Sequence, residues 1–152
     1  FSKQFIDKDY TKTYYQKLAW LDSNTNFPFT KEELISRLPK ILPSSMYHGD
    51  LTLENIIHSD YGFYMIDPVT IEYDSYIFDI AKLRQDLKCK WFVRNESNIY
   101  MNSKLAIIDH ELSKFEYNDD YLLILMLLRI LPYTKNNEDK NYLINEINNL
   151  WK

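Results

Sequence analysis

One cysteine, two glycines, five prolines and no large excess of either charge set the first limits on this chain of 152 residues. Cys89 alone closes no internal disulfide and builds no cysteine-based metal cluster within the chain, so a reducing cytoplasm fits the sequence best. With only Gly49 and Gly62 present, no glycine-rich loop is hidden anywhere. The balance of 18 basic against 22 acidic residues, a net charge of -4, leaves no electrostatic footprint for nucleic acid or an anionic membrane. The most apolar run, YLLILMLLRIL from Tyr121 to Leu131, falls well short of the roughly 20 residues that a bilayer crossing needs, so it reads as a buried helix and no transmembrane segment is expected. The chain opens on Phe, without a basic-then-apolar leader. The expectation is a piece of something longer, with no mark for secretion.

What is present is the composition of a folded domain, 45% hydrophobic and 16% aromatic. Length favours one domain with a real core. From Gln4 to Leu21 the apolar residues Phe5, Tyr14, Leu18 and Leu21 fall near helical spacing, with no Pro or Gly, which predicts a helix. Thr30 followed by Glu33 is a capping-box pattern ahead of Leu34, Ile35 and Leu38, which predicts a second helix closing near Pro39. Between Pro43 and Pro68 the rhythm changes. NIIH and FYMI flank SDYG, a turn with Asp60 and Gly62, and together they predict a small β-hairpin. Helical spacing returns over Ile77 to Leu87 and Ile99 to Phe115. Asn118, Asp119 and Asp120 offer caps for the apolar helix, and Asn141 to Trp151 reads as a final amphipathic one. The expected class is α+β, mainly helical.

The polar residues cluster around that hairpin: His48, Asp50 and Asn55 in MYHGDLTLENII, and Asp67 in GFYMIDP. In a loop, a five-residue separation lets Asp50 and Asn55 turn toward one point, and Asp67 arrives on the hairpin's second strand. Two carboxylates and a carboxamide are hard oxygen ligands, which suit Mg²⁺, an ion that keeps waters and substrate phosphates as its other partners. Nucleotide phosphates are the natural complement. Taken singly, each residue has an ordinary explanation: an Asp after Gly makes turns, an Asn caps a strand, an Asp before Pro ends one. Their order and spacing together weigh against it.

HGDLTLEN followed by MIDP resembles the catalytic loop and metal-binding segment of the aminoglycoside phosphotransferase and choline kinase family, small-molecule kinases with a protein-kinase-like fold. The resemblance implies a C-terminal kinase lobe spanning essentially the whole chain, with the β-hairpin at the catalytic loop. It implies an ATP- and Mg²⁺-dependent phosphotransferase. Asp50 would accept or orient the proton of the attacking hydroxyl, and Asn55 and Asp67 would hold Mg²⁺ against the nucleotide phosphates. His48 would fix the loop, and Asp79, in YIFDIAKL, would brace it from the next helix. Gly49 stands where protein kinases carry an Arg that pairs with a phosphorylated activation loop, so phosphate-controlled switching is not expected. Pro68 and Val69 replace the Phe-Gly that follows the metal-binding Asp in protein kinases. A hydroxyl on a metabolite, sugar or drug is the better acceptor.

The N-terminal lobe that would cover the nucleotide has no counterpart, and nothing before Tyr47 reads as a five-stranded sheet. The expectation is therefore a portion of a longer kinase, weak or inactive alone, and the competing one is a pseudokinase or isolated lobe that serves as a protein-interaction module. Glu72, Tyr73, Asp74 and Tyr76 follow the metal-binding Asp, where the family tends to place acceptor contacts. Acidic and aromatic groups there would hold an amine, while IDP, shared with the capsule- and lipopolysaccharide-associated branch, favours a sugar as well. His58 and His110 lack metal-ligand spacing. Cys89 reads as buried packing, and Asp109 to Glu111 as one polar helix face.

Overall fold

The single helix expected from Gln4 to Leu21 gives way to a strand and a shorter helix. The computed structural model, which describes residues 6–23, 26–96, 98–114 and 119–152, places β1 at Ile6–Asp9, α1 at Thr11–Lys17 and a 3-10 turn at Ala19–Ser23. Gln4 and Phe5 lie outside the described residues. β1 pairs antiparallel with β2, Ile41–Ser44, from Ile6 opposite Ser44 to Asp9 opposite Ile41. This long-range ladder outweighs the local helical spacing, and Pro43 is accommodated because a two-stranded sheet has only edges. Asp9 ends the strand by accepting the Thr11 backbone N–H at 2.8 Å. Hydrogen bonding from Thr11 holds its carboxyl below the ordinary aspartate value.

The second helix, α2 at Lys31–Arg37, starts where the capping box places it. Thr30 Oγ1 accepts the Glu33 N–H at 3.1 Å while Glu33 Oε2 accepts the Thr30 N–H at 2.7 Å. Leu38 leaves the helix in extended conformation ahead of Pro39, whose carbonyl accepts the Tyr14 hydroxyl at 2.7 Å.

The chain forms two compact units. One comprises Phe1–Ser45 and Asp120–Lys152 and holds β1, β2, α1 and α2 together with α5, Asp120–Ile130, and α6, Asn137–Leu150. Every residue from Leu122 to Leu128 is fully buried, as a helix apolar on all sides requires. Among the described residues, no helix is long and apolar enough to cross a membrane. Asn118 lies outside the described residues, and Asp120 occupies the first turn of α5. α6 begins four residues earlier than expected because Asn136 caps it, its Oδ1 accepting the Asp139 N–H at 2.7 Å.

The other unit, Met46–Asp119, contains the expected hairpin, β3 at Ile56–Ser59 and β4 at Gly62–Met65, with Ile56 opposite Met65 and Ser59 opposite Gly62. It continues with α3, Tyr76–Leu87, and α4, Ile99–Leu112; Phe115 lies outside the described residues. Leu87, Val93 and Leu105 form its buried centre, with Leu53, Leu83 and Leu112 packed against them. Arg84 Nε reaches Asp109 Oδ1 at 3.0 Å and ties α3 to α4. Asp109 and Glu111 therefore do not share a polar face: two residues turn a helix by about 200°, and Glu111 pairs with Lys114 instead. The molecule is α+β and mainly helical, with six α-helices and two antiparallel two-stranded sheets among the described residues.

Candidate active site

Asp79, Lys82 and Asp86 recur on α3 at the three- and four-residue spacing that lines up one face of a helix, and all three are buried. Each grips the segment His48–Leu53. Asp79 accepts the His48 N–H at 2.6 Å through Oδ2 and the Gly49 N–H at 2.8 Å through Oδ1. The Lys82 ammonium lies 3.2 Å from Asp50 Oδ1. Asp86 Oδ2 accepts the Leu53 N–H at 2.8 Å. Burial pushes the Asp86 carboxyl above the ordinary value of 3.8, with the Leu53 N–H and the Lys82 charge pulling the other way.

His48 is the hub. Its Nε2 lies 2.7 Å from the Ile66 carbonyl. A carbonyl only accepts, so the Nε2 proton is fixed and Nδ1 is left to take the Asp50 N–H, at a long 3.4 Å. The His48 carbonyl accepts the Val69 N–H at 2.8 Å. One residue thus joins the loop to the arch Ile66–Val69 that follows β4. Asn55, at the end of a 3-10 turn over Leu53–Asn55, adds two more ties: its Nδ2 donates to the Asp50 carbonyl at 2.8 Å, and its own carbonyl accepts the Ile66 N–H at 3.0 Å.

The arch carries Asp67, an exposed residue held at φ +54°. Left-handed backbone is uncommon outside glycine, and Asp is among the few residues that enter it readily. Gly49 is held at φ +85°, and a Cβ there would sit 2.2 Å from the Val69 carbonyl oxygen. No side chain fits.

The structure therefore brings His48, Asp50, Asn55 and Asp79 into one hydrogen-bonded knot, and joins Asp67 to it through its neighbour Ile66. With Asn55 Nδ2 spent on the Asp50 carbonyl, its Oδ1 and the Asp67 carboxylate remain as hard oxygen donors. Among the described residues, no group of three or more His, Cys, Asp and Glu side chains is arranged to hold a metal. An ion bound here would take few protein ligands and keep water or phosphate for the rest, the habit of Mg²⁺.

Glu72 is exposed and Asp74 half-buried on the loop between β4 and α3. Tyr73 beside them is 2% exposed and packs on Phe78, ring centroids 4.8 Å apart. Its ring is packing rather than an acceptor contact. His58 leans on Phe63 across the hairpin at 4.8 Å, His110 is exposed in the last turn of α4, and Cys89 is buried. Lys82 and Asp86 are the residues that the sequence reading passes over; their spacing from Asp79 along one helix stripe was the available signal. No protein-family model, no curated protein and no solved structure matches this chain.

Proposed function

We propose that the Met46–Asp119 unit is the catalytic-loop portion of a protein-kinase-like lobe, an ATP- and Mg²⁺-dependent phosphotransferase acting on a hydroxyl of a small molecule. The observation that carries this reading is the knot at His48, which holds Asp50, Asn55 and the Asp67 arch in one hydrogen-bonded group. Phosphoryl transfer asks a protein mainly for such positioning.

In this reading Asp50 orients the acceptor hydroxyl. The hydroxyl oxygen bonds to the γ-phosphorus, and the bond from that phosphorus to the β–γ bridging oxygen breaks. Its electron pair leaves with ADP, and the hydroxyl proton passes by way of Asp50 to solvent. Asn55 and Asp67 offer oxygen ligands to Mg²⁺, which when bound neutralises phosphate charge. His48 and Asp79 keep the loop in place. The acceptor is an amino alcohol, a sugar or an aminoglycoside, and Glu72 and Asp74 supply negative charge for a cationic one. An N-terminal lobe in a longer protein covers the nucleotide. The setting is the cytoplasm.

ADP formation by the full-length gene product, screened over amino alcohols, sugars and aminoglycosides, tests this directly. Turnover on the order of 1–100 per second, abolished by chelating Mg²⁺ and reduced at least about 100-fold in Asp50→Asn, is the expected result. Turnover indifferent to both would overturn it. One observation favours a second reading, a lobe that serves as an interaction module: Phe63 and Met65 on the hairpin are 77% and 66% exposed. Nucleotide binding that ignores Mg²⁺, with no turnover, would select that reading.

A further inference from the structure

Asp50 is half-exposed, with 42% of its side chain open, whereas the Lys82 side chain that pairs with it is only 11% open. A carboxylate that open has several rotamers available. The ammonium is placed by a stem buried along α3, so the pair is a fixed group holding a movable one. Oδ1 is engaged by Lys82, and Oδ2 has no hydrogen-bond partner among the described residues. The loop Gly49–Asn55 itself contains no Lys or Arg.

We propose that Lys82 is the positioning residue of the phosphotransfer step: it clamps Oδ1 of Asp50 so that Oδ2 faces the acceptor hydroxyl. This rests on the phosphotransferase reading above and deepens it. The physical case is that an ion pair between a buried and a half-exposed side chain contributes little to stability, since solvent screens the open partner and burial costs the other its hydration. What the charge adds is direction: a carboxylate oxygen misplaced by about 1 Å costs on the order of 100-fold in rate. Asp86, one turn further along α3, faces Lys82 electrostatically and holds the Leu53 end of the same loop.

The test is steady-state ADP formation from Mg²⁺-ATP by the full-length protein, with the best acceptor of the panel, in wild type, Lys82→Met, Lys82→Arg, Asp50→Asn and Lys82→Met with Asp50→Asn. Lys82→Met is expected to lower kcat about 100-fold while KM for Mg²⁺-ATP stays within about twofold. Lys82→Arg, which keeps the charge, retains at least about a tenth of wild-type kcat. In the Asp50→Asn background the same Lys82→Met change costs less than about threefold, because the group it acts through is already disabled. Should Lys82→Met fail to melt cooperatively, Lys82→Gln carries the same expectations. A wild-type enzyme that Asp50→Asn disables but Lys82→Met leaves within about twofold overturns the Lys82 assignment alone. So does an equal loss in both backgrounds. A wild-type protein without Mg²⁺-dependent turnover overturns the phosphotransferase reading and this assignment with it.

Discussion

At Gly49 the backbone combines φ +85° with a carbonyl oxygen 2.2 Å from where a Cβ would be. Gly49→Ala must either twist out of the left-handed region or push the Val69 arch away. The expected cost is at least about 2 kcal/mol of unfolding free energy, read by urea denaturation. Gly62→Ala is the control: it shares a positive φ but has open space around it, so it bears the backbone strain alone. Asp86 gives a prediction in pH. Its folded-state carboxyl is raised above 3.8 by burial, so the folded protein holds that proton more tightly than the unfolded chain does. Stability contributed by the protonated group is complete below the unfolded value and declines as pH rises from there through the raised folded value. Asp86→Asn keeps an acceptor for the Leu53 N–H and has no such titration. The melting temperature of wild type minus that of Asp86→Asn should therefore fall as pH climbs upward from 3.8. A difference that rises over that window contradicts the assignment. His48, Asp50, Asn55, Asp67 and Asp79 were legible in the sequence because they lie in short motifs whose order is informative. Lys82 and Asp86 offered only their spacing from Asp79 along α3, a weaker signal, since what gives them a role is a partner on a distant loop, 33 residues away for Asp86.

Among the elements, α2 and the hairpin β3–β4 were legible, because a capping box and the Asp60-Tyr61 turn ahead of Gly62 state their own boundaries locally. β1 was not: Ile6–Asp9 leads directly into α1 and becomes a strand only through pairing with Ile41–Ser44. The tripeptide Asp109, His110, Glu111 shows how burial separates adjacent residues of one kind. Asp109 meets Arg84, which is 2% exposed, and Glu111 meets Lys114 on the surface. Asp109→Ala should cost about 2–3 kcal/mol by leaving a buried guanidinium without this partner, whereas Glu111→Ala should stay within about 0.5 kcal/mol. Paired thermal or urea denaturation decides; equal losses would mean that the α3–α4 tie carries no special share of the stability.

On the scale of the molecule, the hydrogen bonds that build the site all fall within the unit Met46–Asp119, while the chain segments on either side of it in sequence join in the other unit. That division was not legible, because linear order conceals the assembly of Phe1–Ser45 with Asp120–Lys152. The composition, with few glycines and a mild net charge, bounded the class and could not order the parts. Under the proposed function, the loop at Asp50 and Asn55 and the arch at Asp67 form a Mg²⁺-nucleotide site. Calorimetric titration of ATP into the full-length protein, with Mg²⁺ and with a chelator, in wild type and in Asp67→Asn, which keeps a residue tolerant of φ +54°, tests it most directly. Binding that requires Mg²⁺ and weakens at least about tenfold in Asp67→Asn is the predicted result; affinity unchanged by chelation and by the substitution would contradict it.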